Sequence, residues 1–186
     1  MSKAHPNIAV IVGSLRKDSI NKKLAHALER LAGHRAKFHY IRIDDLPLYN
    51  QDFDQAYPAV ATRMKDEIKA ADAILFVSPE YNRSMPGVLK NAIDVASRPW
   101  GTNSFAGKPG AVIGTSSGAI STALMQQHLR NACVFLDIFM MAQPESFLRY
   151  HEGLIADDYS ITDEGVAKFL GSFVDKYLDW VKRFIA

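Results

Sequence analysis

The sequence predicts a three-layer α/β fold, in which a parallel sheet of five strands lies between two layers of helices. Short apolar runs alternate along the chain with longer segments of helical periodicity, which is the pattern of strand–helix–strand units in a parallel sheet. The first run, residues 7–13 (NIAVIVG), is apolar almost throughout. A strand buried on both faces reads in this way.

The remaining elements follow from the same alternation. Apolar residues recur at helical spacing from Ile20 to Leu31, and Asp18 or Ser19 precedes them as a candidate N-cap. A proline opens the third predicted helix, which agrees with the preference for proline in the first helical turn. The predicted strands span residues 7–13, 37–43, 73–77, 109–115 and 135–141, and the predicted helices span residues 19–31, 58–71, 86–97, 121–132 and 163–184.

Five strands in this alternation suit the flavodoxin-like order 2-1-3-4-5, whereas a full dinucleotide-binding fold has six. The length of 186 residues suits one compact unit, and we expect residues 1–186 to form a single domain. Residues 44–57 form a long segment without a helical or strand pattern. Long loops of this kind are often functional.

Composition narrows the function classes. Hydrophobic residues make up 48% and charged residues 23% of the chain, which is typical of globular proteins. The net charge of +2 argues against binding nucleic acid by phosphate neutralisation. We see no signal peptide and no apolar stretch near the roughly 18–20 residues that span a membrane, and we expect a cytoplasmic protein.

The sequence offers little for metal or thiol chemistry. Cys133 is the single cysteine and lies in an apolar run, so we expect a buried and inert thiol. The six histidines have no common ligand spacing such as HExxH. We therefore expect no metal site.

Three polar loops follow the first, third and fourth predicted strands. They read GSLRKDSIN, SPEYNRSMPG and GTSSGAIS, and all are rich in small and hydrogen-bonding residues. In an open α/β sheet, ligands bind beyond the carboxyl ends of the strands, where the strand order reverses. The order 2-1-3-4-5 therefore predicts that these loops converge on one site.

The first loop is interpreted either as an anion cradle or as a capped helix start. A helix N-terminus favours an anion, and Ser14, Arg16, Ser19 and Asn21 add donors. In the alternative, Ser19 is only an N-cap and Arg16 only a solvated charge. Neither GxGxxG nor GxxxxGK[ST] is present. The loop therefore favours a single phosphate and a mononucleotide.

The other two loops suit a planar ring. Tyr81 offers a flat amphipathic surface, and the backbone amides of residues 115–118 can stabilise negative charge. In the alternative, Glu80 is solvated, Tyr81 packs locally and the third loop is a capped turn.

The chain resembles the NAD(P)H-dependent FMN reductase family, and within it the bacterial quinone and chromate reductases. The motifs GSxRxxSxN and PEYNxSxPGxLKNAID carry the resemblance, which covers about residues 7–148. It implies non-covalent FMN, NAD(P)H as co-substrate and ping-pong reduction of small-molecule acceptors: quinones, flavins, azo dyes, nitro compounds or chromate. It implies no catalytic side chain, since the flavin carries the hydride chemistry. Rival functions are a flavodoxin-like electron carrier, a redox-sensing flavoprotein and a module that binds a phosphorylated ligand.

The resemblance also assigns cofactor contacts. The positions matching the phosphate site are Ser14, Arg16, Ser19 and Asn21, with Ile20 among them; those along the isoalloxazine ring are Pro79, Glu80, Tyr81 and Asn82; and those near its pyrimidine end are Ser116, Ser117 and Gly118.

The resemblance further implies a homodimer or homotetramer. Tyr49 and Asp52 would reach a partner subunit, and Arg130 and Glu145 would help assemble a tetramer.

Two residues depart from the family pattern. Ser121 replaces a frequent glycine, and it either crowds the loop or, as we expect, caps the fourth helix. Arg83 stands where some relatives carry an aromatic residue. It either places a cation at the mouth of the pocket or pairs with a neighbouring glutamate.

Overall fold

The computed structural model describes residues 5–185. Its parallel sheet has the order β2-β1-β3-β4-β5, with β6 also paired to β4. This arrangement confirms the predicted flavodoxin-like fold. The strands are β1 (Asn7–Val12), β2 (Lys37–Tyr40), β3 (Ala73–Val77), β4 (Pro109–Ser116), β5 (Phe139–Met140) and β6 (Phe147–Arg149); the α-helices are α1 (Ile20–Ala32), α2 (Ala59–Ala70), α3 (Gly87–Ser97), α4 (Ala123–Phe135) and α5 (Glu164–Lys182); short 3-10 helices lie at Gly33–Arg35 and Gln51–Gln55.

Two apolar cores lie on opposite faces of the sheet. Alternate residues of β1 supply them: Ile8 and Val10 face a core shared with α1 and α5, whereas Ala9 and Ile11 face a core shared with α2, α3 and α4. Because successive side chains of a strand point to opposite faces, a strand covered on both sides must be apolar throughout. This explains why β1, β3 and β4 were recognisable as apolar runs.

The predicted fifth strand, residues 135–141, is mostly wrong, because α4 continues to Phe135. The helix ends in a Schellman-type turn, in which the N–H of Ile138 donates to the carbonyl of Cys133 at 3.1 Å. Asp137 adopts a positive φ of 57° at this turn, and only Phe139–Met140 remains as a strand. A non-glycine residue in this conformation is uncommon, so the helix end had no clear signal.

The strand β6 was missed by the sequence analysis. It continues the edge of β4 to which β5 pairs, because the carbonyls of Gly110 and Ser116 accept from Met141 and Tyr150, respectively. The fifth position of the sheet is thus filled by two short strands. A strand of three residues with one buried side chain is too short for its alternation to identify.

The predicted capping role of Ser121 is also wrong. Ser121 has a φ of 55°, and its buried hydroxyl donates to the carbonyl of Leu148 at 2.7 Å. Helix α4 begins at Ala123, and no side chain of Thr122 caps it. Ser121 therefore connects the third loop to β6. The free N–H groups at the start of α4 donate instead to Glu80.

Candidate functional site

The ends of β1, β3 and β4 lie close together at the carboxyl edge of the sheet. A Cβ atom added to Gly13 would overlap the hydroxyl of Ser78, and one added to Gly114 would overlap the backbone carbonyl of Ser78. Ser78 follows β3 directly, so its main chain and side chain are wedged between the two neighbouring strand ends. The three polar loops therefore leave the sheet side by side, as the strand order predicted.

The first loop, residues 14–19, leaves backbone donors free. Within residues 5–185, none of the N–H groups from Ser14 to Asn21 donates to another backbone or side-chain group. Ser19 is the N-cap of α1, and its hydroxyl accepts from the N–H of Lys22 at 3.3 Å. The capped helix and the anion cradle are compatible, because the capping hydroxyl accepts one hydrogen bond and keeps its own proton to donate.

Arg16 is exposed on this loop, and its guanidinium has no hydrogen-bond or ion-pair partner within the described part of the chain. Free amides, a helix N-terminus and an unpaired guanidinium together suit an anion such as a phosphate. The loop can bind such a group without breaking an existing contact.

Asn21 does not offer the side-chain donor that the sequence analysis expected. Its buried carboxamide donates to the carbonyl of Thr115 and accepts from the N–H of Thr115, both at 3.0 Å. Since β3 ends before this level of β4, the carboxamide pairs with β4 as a peptide group of a neighbouring strand would. Asn21 thus joins α1 to the end of β4, which leads into the third loop.

The second loop, residues 79–86, contains a tight hairpin. Tyr81 and Ser84 exchange backbone hydrogen bonds of 3.0 Å, and the two residues between them have positive φ values, 50° for Asn82 and 62° for Arg83. These angles are those of a type I′ turn, which usually carries glycine. The turn projects the side chain of Tyr81, which is 49% exposed.

Arg83 lies at the tip of this hairpin. Its side chain is exposed and forms no ion pair with any of residues 5–185. Of the two roles considered from the sequence, pairing with a nearby glutamate is therefore not observed. The cation faces solvent beside Tyr81.

Glu80 caps α4, which neither interpretation of the sequence foresaw. Its carboxylate oxygen Oε2 accepts from the N–H groups of Leu124 at 2.9 Å and Met125 at 3.0 Å. A carboxylate at a helix N-terminus satisfies free amides and interacts favourably with the helix dipole. The Oε2 atom of the partly buried Glu80 is thus committed to the helix cap and not free to contact a ring, and it anchors the second loop to α4.

The third loop, residues 117–122, uses part of its polar groups internally. The hydroxyl of Ser116 donates to the carbonyl of Ser121 at 3.3 Å and accepts from the N–H of Gly118 at 3.1 Å. Ser117 is exposed, and its hydroxyl has no partner within residues 5–185. Of the three predicted contacts in this segment, Ser117 alone presents a free side-chain donor.

Two further residues support loops around the site and were not identified from the sequence: His128 contacts the second loop, and Asn91 contacts residues 44–57. His128 on α4 lies with Nδ1 3.0 Å from the hydroxyl of Ser84. Asn91 on α3 accepts from the N–H of Tyr49 at 2.8 Å and donates to the carbonyl of Pro47 at 2.9 Å. Asn91 holds residues 44–57 against α3. Its place in the LKNAID motif is the sequence signal that could have identified it.

Tyr49 and Asp52, which were predicted to reach a partner subunit, lie within residues 44–57. Tyr49 is half-buried, and its hydroxyl donates to Asp54 at 3.3 Å. Asp52 is exposed in a 3-10 helix and accepts from the amide of Asn50 at 3.1 Å. The segment is therefore ordered by its own contacts and presents Asp52 to solvent.

Arg130 and Glu145 lie near one another beside α4. Arg130 donates from Nη1 to the carbonyl of Met141 at 2.9 Å, while its buried Nε has no partner within the described residues. Burial lowers the pKa of Arg130, and Glu145 opposes this shift. Glu145 accepts from the amide of Gln127 at 3.3 Å and forms no ion pair with Arg130 in this chain.

The described part of the chain shows neither a reactive thiol nor a cluster of metal ligands. Cys133 is buried as predicted, and burial raises the pKa of its thiol to about 12. No group of three or more His, Cys, Asp or Glu side chains within residues 5–185 is arranged to hold a metal ion. Over the same residues, no helix is both long and apolar enough to cross a bilayer.

Comparison with known proteins gives consistent matches. The family model described as NADPH-dependent FMN reductase matches residues 6–152. A 2-hydroxy-1,4-benzoquinone reductase of a Burkholderia species is 55% identical over 175 residues, which cover 94% of this chain and 96% of that protein. A quinone reductase of Pseudomonas putida is 47% identical over 177 residues, which cover 95% of each chain.

A solved structure also matches over nearly its whole length. FerB, a flavoenzyme NAD(P)H:(acceptor) oxidoreductase from Paracoccus denitrificans, superposes with a TM-score of 0.93 at 50% sequence identity, covering 96% of this chain and 98% of that one.

Proposed function

Because the chain belongs to the NADPH-dependent FMN reductase family, we propose that it uses FMN and NAD(P)H to reduce quinones. The observation that carries the proposal is the meeting of an unpaired anion-binding loop with the exposed ring of Tyr81 at one edge of the sheet. The quinone relatives, at 47% and 55% identity over almost the whole chain, support quinones as the acceptor class.

The first loop fits the phosphate of FMN. The free N–H groups from Ser14 to Asn21 and the hydroxyl of Ser19 supply donors, and Arg16 supplies an exposed, unpaired charge. One cation and one helix N-terminus match a single phosphate group. We assign Ser14, Arg16, Ser19 and Ile20 to this end of the cofactor.

The second and third loops fit the ring. Pro79, Tyr81 and Asn82 would lie along it, and Ser117 would reach its pyrimidine end together with the backbone of Gly118. When bound, FMN supplies the transfer of two electrons from the pyridine nucleotide to the acceptor. Donors of the third loop would stabilise negative charge at the pyrimidine end.

Three of the predicted contacts receive a supporting role instead. Asn21 joins α1 to β4, Glu80 joins the second loop to α4, and Ser116 holds the third loop in shape. These side chains fix the positions of the groups that touch the cofactor. A preorganised site of this kind orients a ring without rearranging when it binds.

The test is a spectroscopic titration of the purified protein after reconstitution with FMN. We expect flavin absorbance, its loss on anaerobic addition of NADPH or NADH, and its return when 1,4-benzoquinone is added. A protein that retains no flavin would contradict the cofactor assignment. A flavin that NAD(P)H does not reduce would instead favour an electron carrier.

The oligomeric state belongs to the same proposal. Trp100 and Phe135 are 75% and 70% exposed, and their ring centroids lie 6.4 Å apart. Neighbouring large apolar side chains on a surface are typical of an interaction site. We infer a homodimer or homotetramer that covers these rings, with Tyr49 and Asp52 near a partner subunit and the buried Nε of Arg130 beside an interface.

A cytoplasmic location also remains part of the proposal. Cell fractionation would test it directly.

A further inference from the structure

A cavity of about 500 Å³ lies beside the first loop, on the side away from β3. It is bounded by the ends of β1 and β2, by α1 and by the segment that follows β2. Its polar lining includes Ser14, Lys22, His26, Tyr40, Arg42 and Asp44. Ser14 belongs both to this cavity and to the proposed phosphate loop, so the two sites adjoin.

The charged groups in the cavity are arranged for a polar ligand. Arg42 donates from Nε to one carboxylate oxygen of Asp44 at 2.9 Å and from Nη2 to the other at 3.4 Å, and Asp45 lies 3.6 Å from Nε. Lys22 has no ion-pair partner within residues 5–185. The hydrogen bond from Arg42 lowers the pKa of Asp44, so this carboxylate is ionised at neutral pH.

Aromatic rings form another wall. The rings of His26 and Tyr40 lie 4.5 Å apart, and Tyr159 stacks on His26 at 4.6 Å. The hydroxyl of Tyr40 donates to Glu29 at 2.8 Å, and Nδ1 of His26 lies 3.3 Å from the same carboxylate. These contacts hold the rings in place beside the charged groups.

An acidic side chain and an arginine at the end of the second strand have a known use in nucleotide recognition. In dinucleotide-binding α/β proteins, a carboxylate about 20 residues beyond the glycine-rich loop hydrogen-bonds the 2′-hydroxyl of the adenosine ribose, whereas a nearby arginine accommodates a 2′-phosphate. Here both are present as Asp44 and Arg42, and the cavity also contains Lys22. The sequence lacks GxGxxG, so the inference rests on the cavity and its side chains.

We propose that this cavity binds the adenosine ribose of the pyridine nucleotide, with Asp44 accepting from a ribose hydroxyl and with Arg42 and Lys22 attracting a 2′-phosphate. The inference rests on the proposed function, since it places the electron donor of that reaction. It assigns to one Arg–Asp pair the choice between NADPH and NADH. Removing the positive charge of Arg42 shifts the choice towards NADH, and removing the negative charge of Asp44 shifts it towards NADPH.

The first experiment measures binding without turnover. The FMN-reconstituted protein is titrated with 2′,5′-ADP and with 5′-AMP by calorimetry, and each is tested as a competitor of NADPH. We expect 2′,5′-ADP to compete with NADPH and Arg42→Ala to weaken its binding about tenfold or more, the loss expected for one charge-assisted contact. Lys23→Ala is the matched control, because Lys23 neighbours Lys22 but pairs with Asp157 at 3.6 Å outside the cavity.

The second experiment compares kcat/KM for NADPH and NADH in two variants. Arg42→Ala lowers the NADPH/NADH ratio, because it removes the charge that attracts the 2′-phosphate. Asp44→Asn raises the ratio, because it removes a negative charge and frees Arg42. The expected shift is about tenfold in each direction, and Lys23→Ala leaves the ratio at its original value.

Two results would overturn the inference. One is unaltered 2′,5′-ADP binding in Arg42→Ala, and the other is a ratio that moves in the same direction, or not at all, in both variants. Failure of the proposed function looks different. In that case NADPH and NADH fail to reduce the bound flavin of the unmodified protein, and no ratio can be measured.

Discussion

The carboxylate of Glu80 lies 2.9 Å from the backbone nitrogen of Leu124, so a residue that follows β3 caps a helix that begins after β4. A second bond of 3.0 Å to Met125 completes the cap. The loop that presents Tyr81 is therefore attached to the first turn of α4. Loss of this carboxylate should affect both the helix and the ring site.

We expect Glu80→Ala to lower the free energy of unfolding by about 1–2 kcal/mol, since it removes a helix cap. Urea unfolding of the FMN-free protein measures this loss, and flavin titration should show weaker FMN binding. Glu152→Gln is a suitable control, because that exposed carboxylate has no partner within the described chain. Equal stability of the two variants would show that the cap contributes nothing.

Replacing Asn21 by alanine should be more damaging. The change leaves both the N–H and the carbonyl of Thr115 without their partner in a buried position, and we expect a loss of about 2–4 kcal/mol from two such groups. Urea unfolding gives the value, with the exposed Asn131→Ala on α4 as control. If Asn21→Ala lowers the free energy of unfolding no more than Asn131→Ala does, water replaces the carboxamide.

Arg16→Ala should separate cofactor binding from stability. Because Arg16 has no partner in the described chain, the unfolding of the FMN-free protein should stay within about 0.5 kcal/mol of the original value. FMN should bind about tenfold or more weakly, as expected when one charge-assisted contact to phosphate is lost. Fluorescence titration measures the affinity.

In Arg16→Lys the charge remains but the two-pronged geometry is lost, so intermediate binding is expected. FMN affinity equal to the original in both variants would remove Arg16 from the phosphate site.

Lys65 should make stability depend on pH. Burial, and repulsion by Lys69, lower the pKa of this ammonium group to about 8, although it donates to the carbonyl of Arg98 and to Thr102. Between pH 8 and about 10.4, the unfolded chain binds more protons at this residue than the folded chain does. Stability therefore rises with pH across this window, by up to about 3 kcal/mol.

The rise is measured as the difference between the original protein and Lys65→Met, in urea unfolding from pH 7 to pH 10.5. Subtraction cancels the other titrating groups, and the lost hydrogen bonds appear as a constant offset. A difference that does not change with pH would show that Lys65 titrates at its ordinary pKa when folded.

Phe135→Glu should disrupt the proposed subunit contact. A charge on a ring that is 70% exposed costs a monomer little, whereas a buried, unpaired charge strongly disfavours an interface. We expect a smaller mass by light scattering at equal protein concentration. The exposed Phe169→Glu on α5 provides the control, and an unchanged mass in Phe135→Glu would place the interface elsewhere.

The sequence predicted the framework of the fold because its signals are local. The runs of β1 and β3 are apolar at every position after the first residue of β1, and covered parallel strands require this. The convergence of the three loops followed from strand order alone. In each case a short window of sequence contained the whole pattern.

The details that were missed depend on distant partners or rare backbone angles. Glu80 and Leu124 are 44 residues apart, and Asn21 and Thr115 are 94 apart, so neither bond has a spacing signature. Asp137 ends α4 with a φ of 57°, at a position where glycine is the usual signal. Polar residues in functional loops are therefore recognisable as a group, while the division between ligand contacts and supports needs the coordinates.

The contacts at Gly13, Ser78 and Gly114 bear on how this scaffold can be re-engineered. Because the spacing between the first and second loops is set where the strands end, the loop sequences beyond those points can be exchanged without altering it. Exchanging only residues 83–85 of the hairpin, while keeping Glu80, Tyr81, Asn82 and both glycines, should therefore change acceptor choice and preserve flavin retention. Adding Gly114→Ala to this exchange would push the end of β4 away from Ser78. The second and third loops would then move apart.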